Sequence, residues 1–151
     1  MGGRIGQVIS HRTVFCLGLA QLISWGVSYY LVGAFGERIA GELGWSQAII
    51  HGGLSAGLLV MGLTSGTVGR LIDRHGGRAV MCLGSLLTAA GIAGLAFAQT
   101  IPAYYAAWIC LGLAMRLSLY DAAFAALARI GGSAARRPIA QITLLGGLAS
   151  T

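Results

Sequence analysis

Apolar residues fall in long unbroken blocks along this chain instead of recurring at every third or fourth position. The blocks cover about residues 14–35, 48–68, 79–98 and 102–127, with a last one over 138–151. A helix crossing about 30 Å of hydrocarbon at ~1.5 Å per residue needs roughly 20 apolar residues. Four blocks reach that length, and the fifth, about 14 residues or ~21 Å, does not. The pattern predicts an all-α membrane protein with four complete spanning helices and an incomplete fifth, behind a tail over residues 1–12. The first block is expected to stay as a spanning helix. Its uncharged run over 13–36 exceeds the roughly 7–15 residues of a secretory signal core, and no small-x-small cleavage site follows.

Local signals bound these blocks. Glu37-Arg38 is expected to close the first, Ser46 to cap the second, and Pro102 to occupy the first turn of the fourth. In the second block, Gly53-x-x-x-Gly57 and Gly62-x-x-x-Gly66 place small residues on helix faces, the usual device for close packing between spans.

Composition supplies the solvent. Only 9% of the residues are charged, against about 25% in a soluble domain, and mean hydropathy is +0.79. The chain cannot hydrate its own surface, so its partner is a lipid bilayer. A net charge of +6 would suggest nucleic acid in a soluble protein, but all ten basic residues are arginines lying mostly in short clusters between the apolar blocks. That is loop charge, not a phosphate-binding face.

Its distribution gives an orientation. Arg4, Arg12, Arg70, Arg74, Arg78, Arg129, Arg136 and Arg137 alternate onto one side, and Arg38 alone faces them from the other. The positive-inside rule puts the N-terminus in the cytoplasm, with the protein in a plasma or bacterial inner membrane. Cys16, Cys82 and Cys110 stand singly in apolar runs, as small packed hydrophobes would. No nucleophile–base pair, metal-ligand spacing or phosphate-cradling loop is present. The sequence therefore points to no enzyme, cofactor or metal.

Between the second and third blocks, residues 69–78 read GRLIDRHGGR. A tight turn with Gly76-Gly77 at positive φ explains the glycines, and topology explains the arginines. Neither explains an acid at Asp73. The stretch resembles the signature loop of the major facilitator superfamily, G-x-x-x-D-R-x-G-x-R, in the position where that family carries it. Gly69, Asp73, Arg74, Gly76 and Arg78 match, while Gly77 stands where many members have a second basic residue. Trp25-Gly26 with Tyr29-Tyr30, residues 42–46 (ELGWS) and residues 119–124 (LYDAAF) are similar to bacterial members near the monocarboxylate and oxalate/formate exchangers.

The resemblance covers about residues 13–151 and implies the N-terminal four to five helices of a twelve-helix carrier, truncated here and lacking its C-terminal half. It implies secondary active transport of a small organic solute by alternating access, with a carboxylate as the favoured class and a coupled proton or counter-anion as options. The alternative is a membrane remnant or assembly partner that does not transport. The signature loop would be a gate: Asp73 at a helix N-terminus of the other half, Arg74 and Arg78 paired with acids nearby.

Four further residues are candidates for the cavity. Gln21, Trp25 and Ser28, with Ser24, recur at intervals of three and four on one face of the first span. They either pack helices together or line an aqueous cavity. Arg116 lies near the middle of the fourth span, where a charge costs about 2.5–3.5 kcal/mol, so it must face protein or water. It binds a substrate anion or forms an internal ion pair. Asp121, five residues on, is about 140° around a continuous helix from Arg116. It is expected to meet Arg74 or Arg78, or to carry a proton.

Overall fold

The computed structural model describes residues 9–150, and among those residues there is no strand. Most of the expected tail, Arg4 included, and Thr151 lie outside them. Eight α-helices follow in order: α1 His11–Val27, α2 Leu31–Leu43, α3 Gln47–Leu63, α4 Ser65–His75, α5 Gly77–Ala96, α6 Ile101–Ser118, α7 Tyr120–Gly131 and α8 Arg136–Gly147. Short 3-10 turns occupy Gly132–Ala135 and Leu148–Ser150.

These helices combine into membrane-length paths. α1 and α2 run on as one path of 33 residues, α6 and α7 as one of 31, and α5 crosses alone with 20. α3 and α4 form a fourth path bent by 55° between Leu63 and Ser65. The 12 residues of α8 make a rod only about 18 Å long. The chain is an all-α bundle built for lipid.

Helix ends follow capping groups more closely than hydropathy. The helix does not end at Glu37-Arg38: α2 runs on to Leu43 and stops at Gly44, whose φ of 67° is a left-handed helix terminus. Inside that extension Arg38 and Glu42 pair across one turn at 3.0 Å, both well exposed. Ser46 caps α3 by accepting from the Ile49 N–H at 3.4 Å, and Thr100 caps α6 with Pro102 in its first turn.

The signature stretch is also not a loop. α4 carries the chain in helical form through His75, and only Gly76 interrupts it, at φ 81°, ψ 154°. Gly77 is already helical. It is buried, and a Cβ there would lie 2.3 Å from the Ala126 Cβ. Its missing side chain is thus a packing requirement, which explains why a basic residue is absent. Gly76, in contrast, holds a backbone conformation open almost only to glycine. Gly76→Ala is expected to lower stability by about 1–3 kcal/mol, read as thermal denaturation of the purified protein in detergent.

Three breaks were not foreseen, and none involves proline. They fall at Ser28–Tyr30, at Thr64 and at Leu119. Beside each, a hydroxyl donates back to the carbonyl four residues earlier: Ser28 to Ser24, Thr64 to Val60, Ser118 to Ala114. Such back-bonding competes with the helical ladder and bends it. Ser55, Ser85, Thr88 and Thr143 make the same bond within unbroken helices, so tertiary contacts choose where it becomes a break.

Glycines set the packing. α5 presents Gly77, Gly84 and Gly91, seven residues apart, to Ala126, Leu117 and Leu111 of the α6–α7 path. On its other side α6 meets α3, where the backbones nearly touch: a Cβ on Gly112 would lie 2.2 Å from the Gly57 carbonyl oxygen. Gly53 packs on Trp108 and Tyr104, whose hydroxyl donates to the Ile50 carbonyl at 3.0 Å. Gly62 and Gly66 do not pack in this way: among the described residues no tertiary neighbour comes close to either.

The apolar core lies in separate clusters. One joins Val32, Ile50, Tyr104, Trp108 and Leu111; a second joins Val14, Ala123, Leu127, Ala135 and Ile142; a third seats α4 through Val68 and Ile72 on Val80, Leu117 and Ala122.

Candidate functional site

Two of the breaks meet. The α1–α2 break and the α6–α7 break each fall near the middle of their paths, and their neighbouring residues contact one another. Gln21 is fully buried, and its Nε2 donates to the Ser118 carbonyl at 2.8 Å. That carbonyl loses its helical donor because Ala122 N–H turns to the Leu119 oxygen, at 3.1 Å. Gln21 therefore supplies the hydrogen bond that the break removes. One turn on, Trp25 lies 5.2 Å, centroid to centroid, from Tyr120 and 5.4 Å from Tyr29, and Tyr30 completes the group. Tyr120 stacks on Phe124 at 5.3 Å and donates to the Thr143 carbonyl of α8 at 3.1 Å.

The same break corrects the expected position of Asp121. A rotation of about 140° assumes a continuous helix. With Leu119 extended at ψ −169°, the Arg116 guanidinium instead pairs directly with the Asp121 carboxylate. Among the described residues no ion pair joins Asp121 to Arg74 or Arg78. The break also suits both charges electrostatically. Arg116 sits in the last turn of α6 and Asp121 in the first turn of α7, where the two helix dipoles favour a cation and an anion respectively.

Among the described residues three buried polar atoms on the elements flanking the breaks have no partner, Gln21 Oε1, Trp25 Nε1 and Arg116 Nε, as has Trp108 Nε1 in the apolar core. The first three offer one acceptor and two donors. Ser28 is buried as well, but its hydroxyl is engaged by Ser24 within its own helix. The residues read from the sequence as cavity candidates thus gather at the paired breaks, joined by Tyr29, Tyr30, Tyr120 and Phe124. A continuous-helix reading cannot group Tyr120 with Trp25.

The signature residues form a second, separate group. Asp73 and Arg74 lie exposed near the C-terminal end of α4, Gly76 makes the turn and Arg78 opens α5, while Gly69 lies within α4 without a close tertiary neighbour. The sequence reading missed Arg129 of α7, which donates to the carbonyls of Ile72 and Asp73 at 3.3 and 3.0 Å.

Several apolar helical paths of membrane length define an integral, multi-pass membrane protein. More particularly, the chain belongs to the Major Facilitator Superfamily, whose family pattern matches residues 17–146. This is a family of secondary transporters, embedded in lipid and acting on small solutes. No curated protein and no solved structure matches the chain.

Proposed function

We propose that this chain carries the solute-binding part of a secondary active transporter working by alternating access, with its site at the paired breaks. One observation supports this most: three unpartnered polar atoms, on Gln21, Trp25 and Arg116, buried near the middle of the membrane path. An orphaned buried donor or acceptor costs about 1–3 kcal/mol, and a ligand that satisfied these atoms would recover that cost. Broken helices beside a midplane site are the recurring architecture of such carriers.

The favoured solute is a small organic carboxylate, since a guanidinium presents a planar fork that matches one. A proton or a counter-anion is coupled to its movement. The Gly69, Asp73, Arg74, Gly76 and Arg78 stretch acts as the gate. The arginine distribution supports a gate that lies, with the N-terminus, on the cytoplasmic side of a plasma or bacterial inner membrane. A second helical half opposite the site completes the rocking mechanism.

Trp25 is its own reporter. Titrating the purified protein with short mono- and dicarboxylates is expected to change indole fluorescence saturably, and Trp25→Phe is expected to abolish most of that change. A flat response to every carboxylate, with the fold intact, would remove the carboxylate reading.

A further inference from the structure

The gate helix has only modest means of staying where it is. α4 joins α3 through the 55° bend at Thr64 and seats two buried side chains, Val68 and Ile72, while Arg70, Asp73 and Arg74 are exposed. Gly62 and Gly66, which flank the bend, touch no neighbouring helix, so nothing packs against the backbone there as it does at Gly57. The far end of α4 is different. Helix C-termini leave carbonyls without helical donors. Here the Ile72 carbonyl keeps the Gly76 N–H at 2.9 Å, and the Arg129 guanidinium, reaching from the last turn of α7, donates through one nitrogen both to it and to the Asp73 carbonyl. A cation at that end also opposes the negative pole of the α4 dipole.

We propose that Arg129 is a positioning residue of the gate, a latch that holds the C-terminal end of α4 against α7 while Thr64 serves as the hinge. The inference rests on reading residues 69–78 as the gate. It differs from that reading in placing control of the gate on a backbone contact from another helix, not on the Asp73 carboxylate. Releasing the latch breaks two hydrogen bonds to carbonyls and loosens the seat of Val68 and Ile72 on Val80, Leu117 and Ala122.

Hydrogen exchange on the full chain in lipid nanodiscs tests this without any substrate. In Arg129→Met, which keeps length but loses every donor, amides over 70–77 are expected to exchange about tenfold faster. Those of α3 and α6 are expected to keep their rates, and Arg129→Lys to restore much of the protection over 70–77. If Arg129→Met does not fold, Arg129→Gln, too short to reach both carbonyls, carries the same outcomes. Unchanged exchange over 70–77, or acceleration spread evenly over α4, α5 and α7, would overturn the latch. Asp73→Asn separates the two readings: it is expected to leave exchange over 70–77 unaltered, whereas a failed gate reading shows as unimpaired transport in that variant.

Discussion

Arg116→Gln is expected to weaken carboxylate binding about 100-fold, and Arg116→Lys about tenfold. Two charge-assisted hydrogen bonds at about 1.5 kcal/mol each sum to ~3 kcal/mol, and each 1.4 kcal/mol is a factor of ten. Lysine keeps the charge but loses the planar fork. The Asp121 partner makes the measurement decisive in both directions. Its side chain is 56% exposed; where the proposed site holds an aqueous cavity, Asp121 left alone keeps water, and Arg116→Gln is expected to denature within about 1 kcal/mol of the parent. A variant that loses stability, and regains it when Asp121→Asn is added, would assign the pair to structure. Normal anion binding by a stable Arg116→Gln protein would end the case for an anion site. Titrating and melting the same preparation gives both readouts.

The second large effect belongs to the α3–α6 crossing. Gly112→Leu is expected to destabilise the bundle by about 3 kcal/mol or more, with most of the protein lost from the membrane fraction. A side chain there meets the Gly57 backbone oxygen, which cannot step aside as a side chain can. Gly62→Leu serves as the control, since Gly62 has open space, and its melting temperature is expected to match the parent's. Equal stability of the two variants would mean that α3 and α6 do not meet as described.

What the sequence revealed and what it hid divide along a physical line. Bulk hydropathy is a property of blocks, so the all-α membrane class was legible from where charge is absent. The family was legible because Asp73 fits neither turn chemistry nor topology. Helix breaks were not legible, because Ser28, Thr64 and Ser118 use a bond that four other hydroxyls make inside unbroken helices. The Asp121 reading failed for that reason alone. It applied a rotation per residue across a point where the ladder stops. Gly77 misled in a different way: paired glycines suggest a turn, but one of this pair was selected by the Ala126 methyl on another helix. Arg129 was counted as topogenic charge, and nothing in its neighbours marks it as the donor to α4.

The absence of proline from the breaks has a consequence for the helical ladder. The chain's two prolines, Pro102 and Pro138, both lie in the first turn of a helix, where no amide hydrogen is missed. A proline within a span erases an amide for good and leaves the rod permanently crooked. A hydroxyl only borrows a carbonyl. At Thr64 the backbone N–H still donates to the Val60 oxygen at 3.0 Å beside the hydroxyl, so no amide is lost from the ladder there. Each of the three kinks therefore keeps the amides of its ladder, and the contacts around it, such as the Gln21 hydrogen bond to the Ser118 carbonyl, hold it bent.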